Sequence, residues 1–216
     1  MNRYDHIIWD WNGTILNDAW LCVEVMNEVL KIRRLPLINI DSYRKHFCFP
    51  VKEYYKILGF NFNKEKFEIS GLEFIDKYLD RRYDAQLYAN IREVIKTLSE
   101  HGVTHSILSA QHENMLNDVA SYYDMNKYFI HLVGLKDQYA HGKLDAGKSL
   151  LKRLDYKKNK IILIGDTVHD SDVASSLNID CILLSCGHND KSQLELEPSR
   201  ATIIDSHDKI ISLIVH

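Results

Sequence analysis

No apolar run in the chain reaches the roughly 20 residues of a membrane-spanning helix, so a membrane-embedded protein is not expected. Nor does a basic segment followed by a long apolar stretch stand near the start, the pattern that marks a secretory leader. The four cysteines, Cys22, Cys48, Cys181 and Cys186, form no Cys-x-x-Cys pair and stand among apolar neighbours. That usage fits reduced, mostly buried thiols and a cytoplasmic protein. Lysine and arginine form no block longer than Lys157-Lys158-Asn159-Lys160, and the net charge is -3. A general nucleic-acid partner is therefore not expected. Internal repeats and low-complexity segments are also missing.

What remains describes a soluble enzyme. At 216 residues and 45% hydrophobic, the chain can bury a sizeable core as one α/β domain plus a smaller insertion. Ile7, Ile8 and Trp9 read as a strand buried on both faces, followed at once by Asp10-Trp11-Asn12-Gly13-Thr14. In an open α/β sheet the carboxyl ends of the strands form the ligand crevice, so Asp10 would be offered to a ligand there. A plain alternative is a hairpin turn at Asn12-Gly13. A second apolar run, residues 161–164, ends in Gly165-Asp166, with Asp170 four residues on. Carboxylates from two strand ends would converge into the hard oxygen cluster that Mg²⁺ prefers. Asp166 and Asp170 could instead cap the following helix, a role compatible with metal binding.

Between these segments the pattern changes twice. Residues 17–34 carry Leu21, Val25, Val29 and Ile32 at helical spacing, with Asn17 or Asp18 as cap, and further helices are expected over 51–58 and 64–82, with nothing but helix in this stretch. From about residue 88 helices and strands alternate: helices over 91–101, 113–123, 145–154 and 169–177, and strands over 103–108, 129–133, 160–164 and 181–184. Such alternation predicts an α/β, doubly wound parallel sheet. The expected division is a Rossmann-like core of residues 1–16 and 86–216 and an inserted all-helical cap of residues 17–85.

Asp10-Trp11-Asn12-Gly13-Thr14, a strand ending in Ser109, a basic loop with Lys143, and Gly165-Asp166 with Asp170 together resemble the four motifs of the haloacid dehalogenase superfamily. They occur in the right order and span nearly the whole chain. The long insertion after the first motif is similar to the helical-capped, phosphoglycolate phosphatase-like branch. The resemblance implies a phosphatase acting on a small phosphorylated metabolite, as a monomer or homodimer. Asp10 would be the nucleophile, forming an aspartyl-phosphate. Mg²⁺ would be held by Asp10, the backbone carbonyl of Asn12, and Asp166. Asp170 would complete the metal's surroundings by aligning a bound water or the lysine. Ser109 and the adjoining Ala110, with Gly13 and Thr14, would bind the phosphate, although Ser109 alone reads as an ordinary strand-end serine. The motif cation would be Lys143, placed in a loop ahead of a helix capped by Asp145, with Lys148 inside that helix as the alternative.

One residue departs from the pattern. Most phosphatases of the superfamily carry a second aspartate two residues past the nucleophile, to protonate the leaving alcohol; here Asn12 stands there, and an amide cannot shuttle a proton. Candidate substitutes are His169, Arg44, Lys45 and His46, each also readable as a surface residue. Two alternatives stay open: a phosphate-binding regulatory module with weak turnover, and a phosphonate or carbon-centre hydrolase of the same superfamily.

Overall fold

Alternation of buried apolar side chains along the strands sets the layers of the molecule. In the computed structural model, which describes residues 2–136, 142–196 and 201–215, six parallel strands lie in the order β5-β4-β1-β6-β7-β8. They are β1 (His6–Trp9), β4 (Thr104–His112), β5 (His131–Leu135), β6 (Ile161–Gly165), β7 (Asp180–Leu184) and β8 (Thr202–Ile204). Successive strand residues point to opposite faces, so each face has its own core. Ile7, Trp9, Ile107, Ile162, Ile164 and Ile182 pack with α5 (Ile91–Glu100), α6 (Glu113–Tyr122) and α10 (Asp208–Ile214). Ile8, Leu108, Leu163 and Leu183 pack on the other side with α7 (Lys143–Leu151) and α8 (Val168–Leu177). The sheet is doubly wound, as the alternation predicts.

Strand order reverses at β1, which has β4 on one side and β6 on the other. Trp9 is paired with Ile107 and Ile164, so β1 and β6 end at nearly one level while β4 runs on past them to His112. This is the switch point at which open α/β sheets bind ligands.

Four helices stand in the insertion, between residues 17 and 86: α1 (Ala19–Ile32), α2 (Ile40–His46), α3 (Val51–Ile57) and α4 (Phe67–Arg81). They are not the only structure in the insertion. Leu16–Asn17 (β2) pairs antiparallel with Gln86–Leu87 (β3), so the chain leaves for the helices and returns from them side by side. Two residues per strand carry too little periodicity to be seen in sequence. Helix α2, also unanticipated, starts at Asn39, whose side chain accepts from the Ser42 N–H at 2.8 Å. A short helix, α9 (Lys191–Leu194), with β8 and α10 extends the fold beyond the last expected strand. Among the described residues no helix is long and apolar enough to cross a membrane.

Candidate active site

Asp10 directly follows β1, and its backbone N–H donates to Ile164 O at 2.8 Å, which fixes it beside the end of β6. Asp166 follows β6, and Asp170 lies in the first turn of α8. One carboxylate oxygen from each of the three lies within 4.8 Å of the others, and all three residues are buried. Glycines make this crowding possible. Gly13 has φ +75°, and a Cβ there would stand 2.2 Å from Asp166 Oδ2. Only glycine adopts that backbone region at no steric cost.

Lys143 Nζ donates to Asp10 Oδ1 and, at 2.6 Å, to Asp170 Oδ1. The side chain is buried, and two carboxylates hold its ammonium pKa above the ordinary lysine value against the opposing effect of burial. Its location corrects the expectation of a loop: Lys143 is the first residue of α7, with Gly142 at the cap position. Asp145, expected to cap that helix, lies within its first turn and pairs with Lys148 at 3.0 Å. Lys148 itself is exposed.

Asp170 Oδ2 accepts from Thr167 N at 3.0 Å, Thr167 Oγ1 at 2.7 Å and Asp166 N at 3.2 Å. Thr167 reciprocates as the N-cap, so Asp170 closes a capping box while its other oxygen holds Lys143. Burial works to raise the Asp170 carboxyl, but Lys143 and Thr167 outweigh it and hold the pKa below the ordinary carboxylate value. Burial wins at the other two: Asp10 is pushed well up, and Asp166 to about 6. Only two of the three carboxylates, Asp10 and Asp170, pair with Lys143, so acid groups outnumber the ammonium in a buried place. Hard oxygen donors carrying that surplus fit a divalent cation such as Mg²⁺.

The remaining expected residues divide into two groups. Asn12, Ser109, Ala110 and His169 line, with Asp10, Lys143 and Asp170, a cavity of about 800 Å³ that extends under α2, α3 and α4. Ser109 is buried, and its Oγ accepts from Gln111 N at 3.1 Å, leaving its own O–H to donate. It lies within β4, which runs on to His112 past a break in register and does not end at Leu108. Gly13 and Thr14, expected at the phosphate, are held back from the cavity. Thr14 Oγ1 donates to Asp166 Oδ1 at 2.9 Å and Gly13 N–H to Asp18 Oδ1 at 2.9 Å. Arg44 is bound to Cys186 O at 2.7 Å, and Lys45 and His46 are exposed, so none of these three stands at the carboxylates.

Sequence reasoning missed Asp18 and His188. Asp18 occupies the N-cap position of α1 but makes no capping bond. Its carboxylate turns inward instead, accepting from Asn12 Nδ2 (2.7 Å), Tyr78 OH (2.7 Å) and Gly13 N–H, and facing His188 Nε2 at 3.3 Å. Burial lowers the His188 pKa, but Asp18 more than reverses this and raises it to about 9. The same ring keeps the Asp18 carboxyl below its usual value despite burial. His188 also donates its backbone N–H to Asp166 Oδ2 at 2.6 Å. Its place just beyond the end of β7 is the signal that was available, because that strand end opens onto the same crevice.

A family model described as haloacid dehalogenase-like hydrolase matches residues 7–184. The chain belongs to this hydrolase family. Among curated relatives, a putative pyrophosphatase PpaX of Caldanaerobacter subterraneus subsp. tengcongensis is 22% identical over 168 residues, covering 76% of this chain and 74% of the relative. A phosphoglycolate phosphatase of Pseudomonas savastanoi pv. phaseolicola is 24% identical over 144 residues, covering 65% of this chain and only 52% of the relative, about half its length. The fold is shared with a haloacid dehalogenase-like hydrolase of Streptococcus pneumoniae, with a TM-score of 0.83, 17% identity, and coverage of 97% and 98% of the two chains.

Proposed function

We propose that this hydrolase is a cytoplasmic, Mg²⁺-dependent phosphatase that cleaves small phosphorylated metabolites through an aspartyl-phosphate on Asp10. The observation that carries the reading is the buried bridge of Lys143 between Asp10 and Asp170, with Asp166 within reach, at a strand switch point that opens into a cavity. Names of relatives that act on phosphoglycolate or carry a pyrophosphatase label agree with it.

The chemistry follows from the residues. Asp10 supplies the carboxylate oxygen that bonds to phosphorus as the ester oxygen departs with its electron pair; water then attacks the aspartyl-phosphate, releasing phosphate and restoring Asp10. Lys143 offsets negative charge on Asp10 and on the transferring group. Ser109 donates to a phosphate oxygen. Mg²⁺, held by Asp10, Asp166 and the Asn12 carbonyl with Asp170 alongside, would supply Lewis-acid stabilisation of the phosphoryl charge. The helices of residues 17–85 act as a cap that excludes water and selects the leaving group.

Beryllium fluoride and p-nitrophenyl phosphate test this together. With Mg²⁺, beryllium fluoride should inhibit the wild type by mimicking the aspartyl-phosphate, while Asp10→Asn should lose turnover of p-nitrophenyl phosphate and still bind phosphate. Asp10→Asn with near wild-type turnover would show that Asp10 does not attack. Retained phosphate binding without turnover by the wild type would make the protein a phosphate-binding module.

A further inference from the structure

Two independent features of the cavity limit what can leave. The first is its wall. Opposite Asp10 and Lys143 it is built by aromatic side chains of the capping helices and the loop between α2 and α3: Tyr43, Phe47, Phe49, Tyr54, Phe67 and Phe74. Tyr43 and Phe47 stack at 5.1 Å between centroids, and Tyr54 meets Phe47 edge-on at 5.4 Å, so the wall is a packed aromatic array. Cations are scarce in it. Among the described lining residues Lys143 is committed to two carboxylates, the His188 ring is held by Asp18 and the Tyr43 hydroxyl, and Lys52 is exposed with its ammonium over the Phe62 ring at 5.5 Å. An anionic leaving group such as glycolate finds no dedicated partner. Neutral polar contacts are on offer instead. The Tyr54 hydroxyl and Gln111 Oε1 line the cavity, buried and with no hydrogen-bond partner among the described residues.

The second feature is the missing acid. Asn12 stands where a leaving alkoxide would be protonated, and both of its amide N–H donors are taken, by Asp18 Oδ2 at 2.7 Å and Tyr78 OH at 3.0 Å. Nearby His188 is no replacement, since its Nε2 faces Asp18 and its Nδ1 is bound to the Tyr43 hydroxyl at 2.8 Å. An alkoxide leaving without a proton is slow; a phenolate leaves readily.

Resting on the phosphatase reading above, we infer that the substrate is a small aryl phosphate, a monoester of a neutral phenol whose ring enters the aromatic chamber. Aromatic rings packed edge-on or offset match this wall, and the volume is that of a small-molecule site. In the step, the Asp10–phosphorus bond forms and the aryl C–O–P ester breaks at its P–O bond. The electron pair stays on the phenolate oxygen, which is protonated by solvent after release.

The test is a substrate series on the wild-type enzyme with Mg²⁺: phenyl phosphate, cyclohexyl phosphate, phosphoglycolate, p-nitrophenyl phosphate and a phosphotyrosyl peptide. Phenyl phosphate should exceed cyclohexyl phosphate, its alkyl counterpart of similar size, by at least about 10²-fold in kcat/KM. It should exceed phosphoglycolate by at least about tenfold. Phe49→Arg should lower kcat/KM for phenyl phosphate by about two- to tenfold, mostly through KM, and improve phosphoglycolate. Equal rates on the phenyl and cyclohexyl esters would reveal an acid, with His169 in the cavity the first candidate, and overturn the inference. Preference for phosphoglycolate, or for the phosphotyrosyl peptide, would overturn it while leaving the phosphatase reading intact. No turnover of any ester, p-nitrophenyl phosphate included, would overturn both.

Discussion

Asn12 shows how a single side chain can set the reach of a site. Its amide is clamped by Asp18 and Tyr78, so replacing it with aspartate would bring a carboxyl up against the Asp18 carboxylate. Like charges at hydrogen-bond distance favour the protonated form of one partner. A carboxyl kept partly protonated at neutral pH is what a leaving alkoxide requires. Asn12→Asp should therefore raise kcat/KM for cyclohexyl phosphate by at least about tenfold while changing phenyl phosphate much less. Steady-state rates on the two esters check this, and an equal gain on both would mean that proton donation is not what the asparagine removed.

At the scale of the element, α8 joins fold to chemistry. Thr167 and Asp170 close a capping box, and the same Asp170 carboxylate holds Lys143. Thr167→Ala removes the cap and one of the three hydrogen bonds to Asp170 Oδ2. It should cost about 1 kcal/mol, or about 2–4 °C in Tm for a chain of this size. It should also lower kcat several-fold, with Thr167→Ser restoring both; calorimetry and steady-state kinetics read them out. A drop in Tm with kcat unchanged would confine Thr167 to the helix end. Strand ends of this kind were legible in the sequence, because apolar runs stop at acidic residues and glycines: Asp10 after β1, and Asp166 after Gly165 closes β6. Regular helices with a clear apolar stripe were legible too. The β2–β3 ribbon was not, since two-residue strands have no period to detect, and neither was α2, which buries Tyr43 alone. Asp18 was read, with Asn17 as the alternative, as a helix cap because nothing in the chain says that His188, 170 positions away, will draw its carboxylate inward. Lys143 was identified for its charge, but its helical position depends on Gly142 starting α7 before Asp145.

For the whole molecule, acid stability turns on buried rings at the heart of the sheet. His6 on β1 and His105 on β4 are both buried, and burial lowers their pKa values to about 3 and about 4. Unfolded, each would titrate near 6.5. Below that pH the unfolded chain binds protons that the folded one refuses, so their contribution is complete above pH 6.5 and is lost as pH falls toward 4. The slope is up to about 1.4 kcal/mol per pH unit for each ring. Asp10 and Asp166 act in the opposite sense. Their raised pKa values mean that the folded state takes up protons more readily than the unfolded state, offsetting part of the loss. Urea unfolding of the wild type and His6→Gln between pH 7 and 5 separates the two: the variant should show the shallower decline. Parallel declines would mean that His6 carries a proton in the folded protein as it does in the unfolded one.

The turn that carries Asn12 also bears on how the protein ages. Asparagine followed by glycine is the pairing most prone to spontaneous deamidation, in which the glycine nitrogen attacks the asparagine side-chain carbonyl to form a cyclic imide. Here the Gly13 N–H is donated to the Asp18 carboxylate, whose charge disfavours deprotonating that nitrogen, and the Asn12 amide is held by two further bonds. Folding thus protects this amide, and deamidation at Asn12 becomes a record of time spent unfolded. Because that change installs a carboxyl at the one position where the site lacks an acid, material with a history of unfolding would turn over alkyl esters faster than the freshly folded chain.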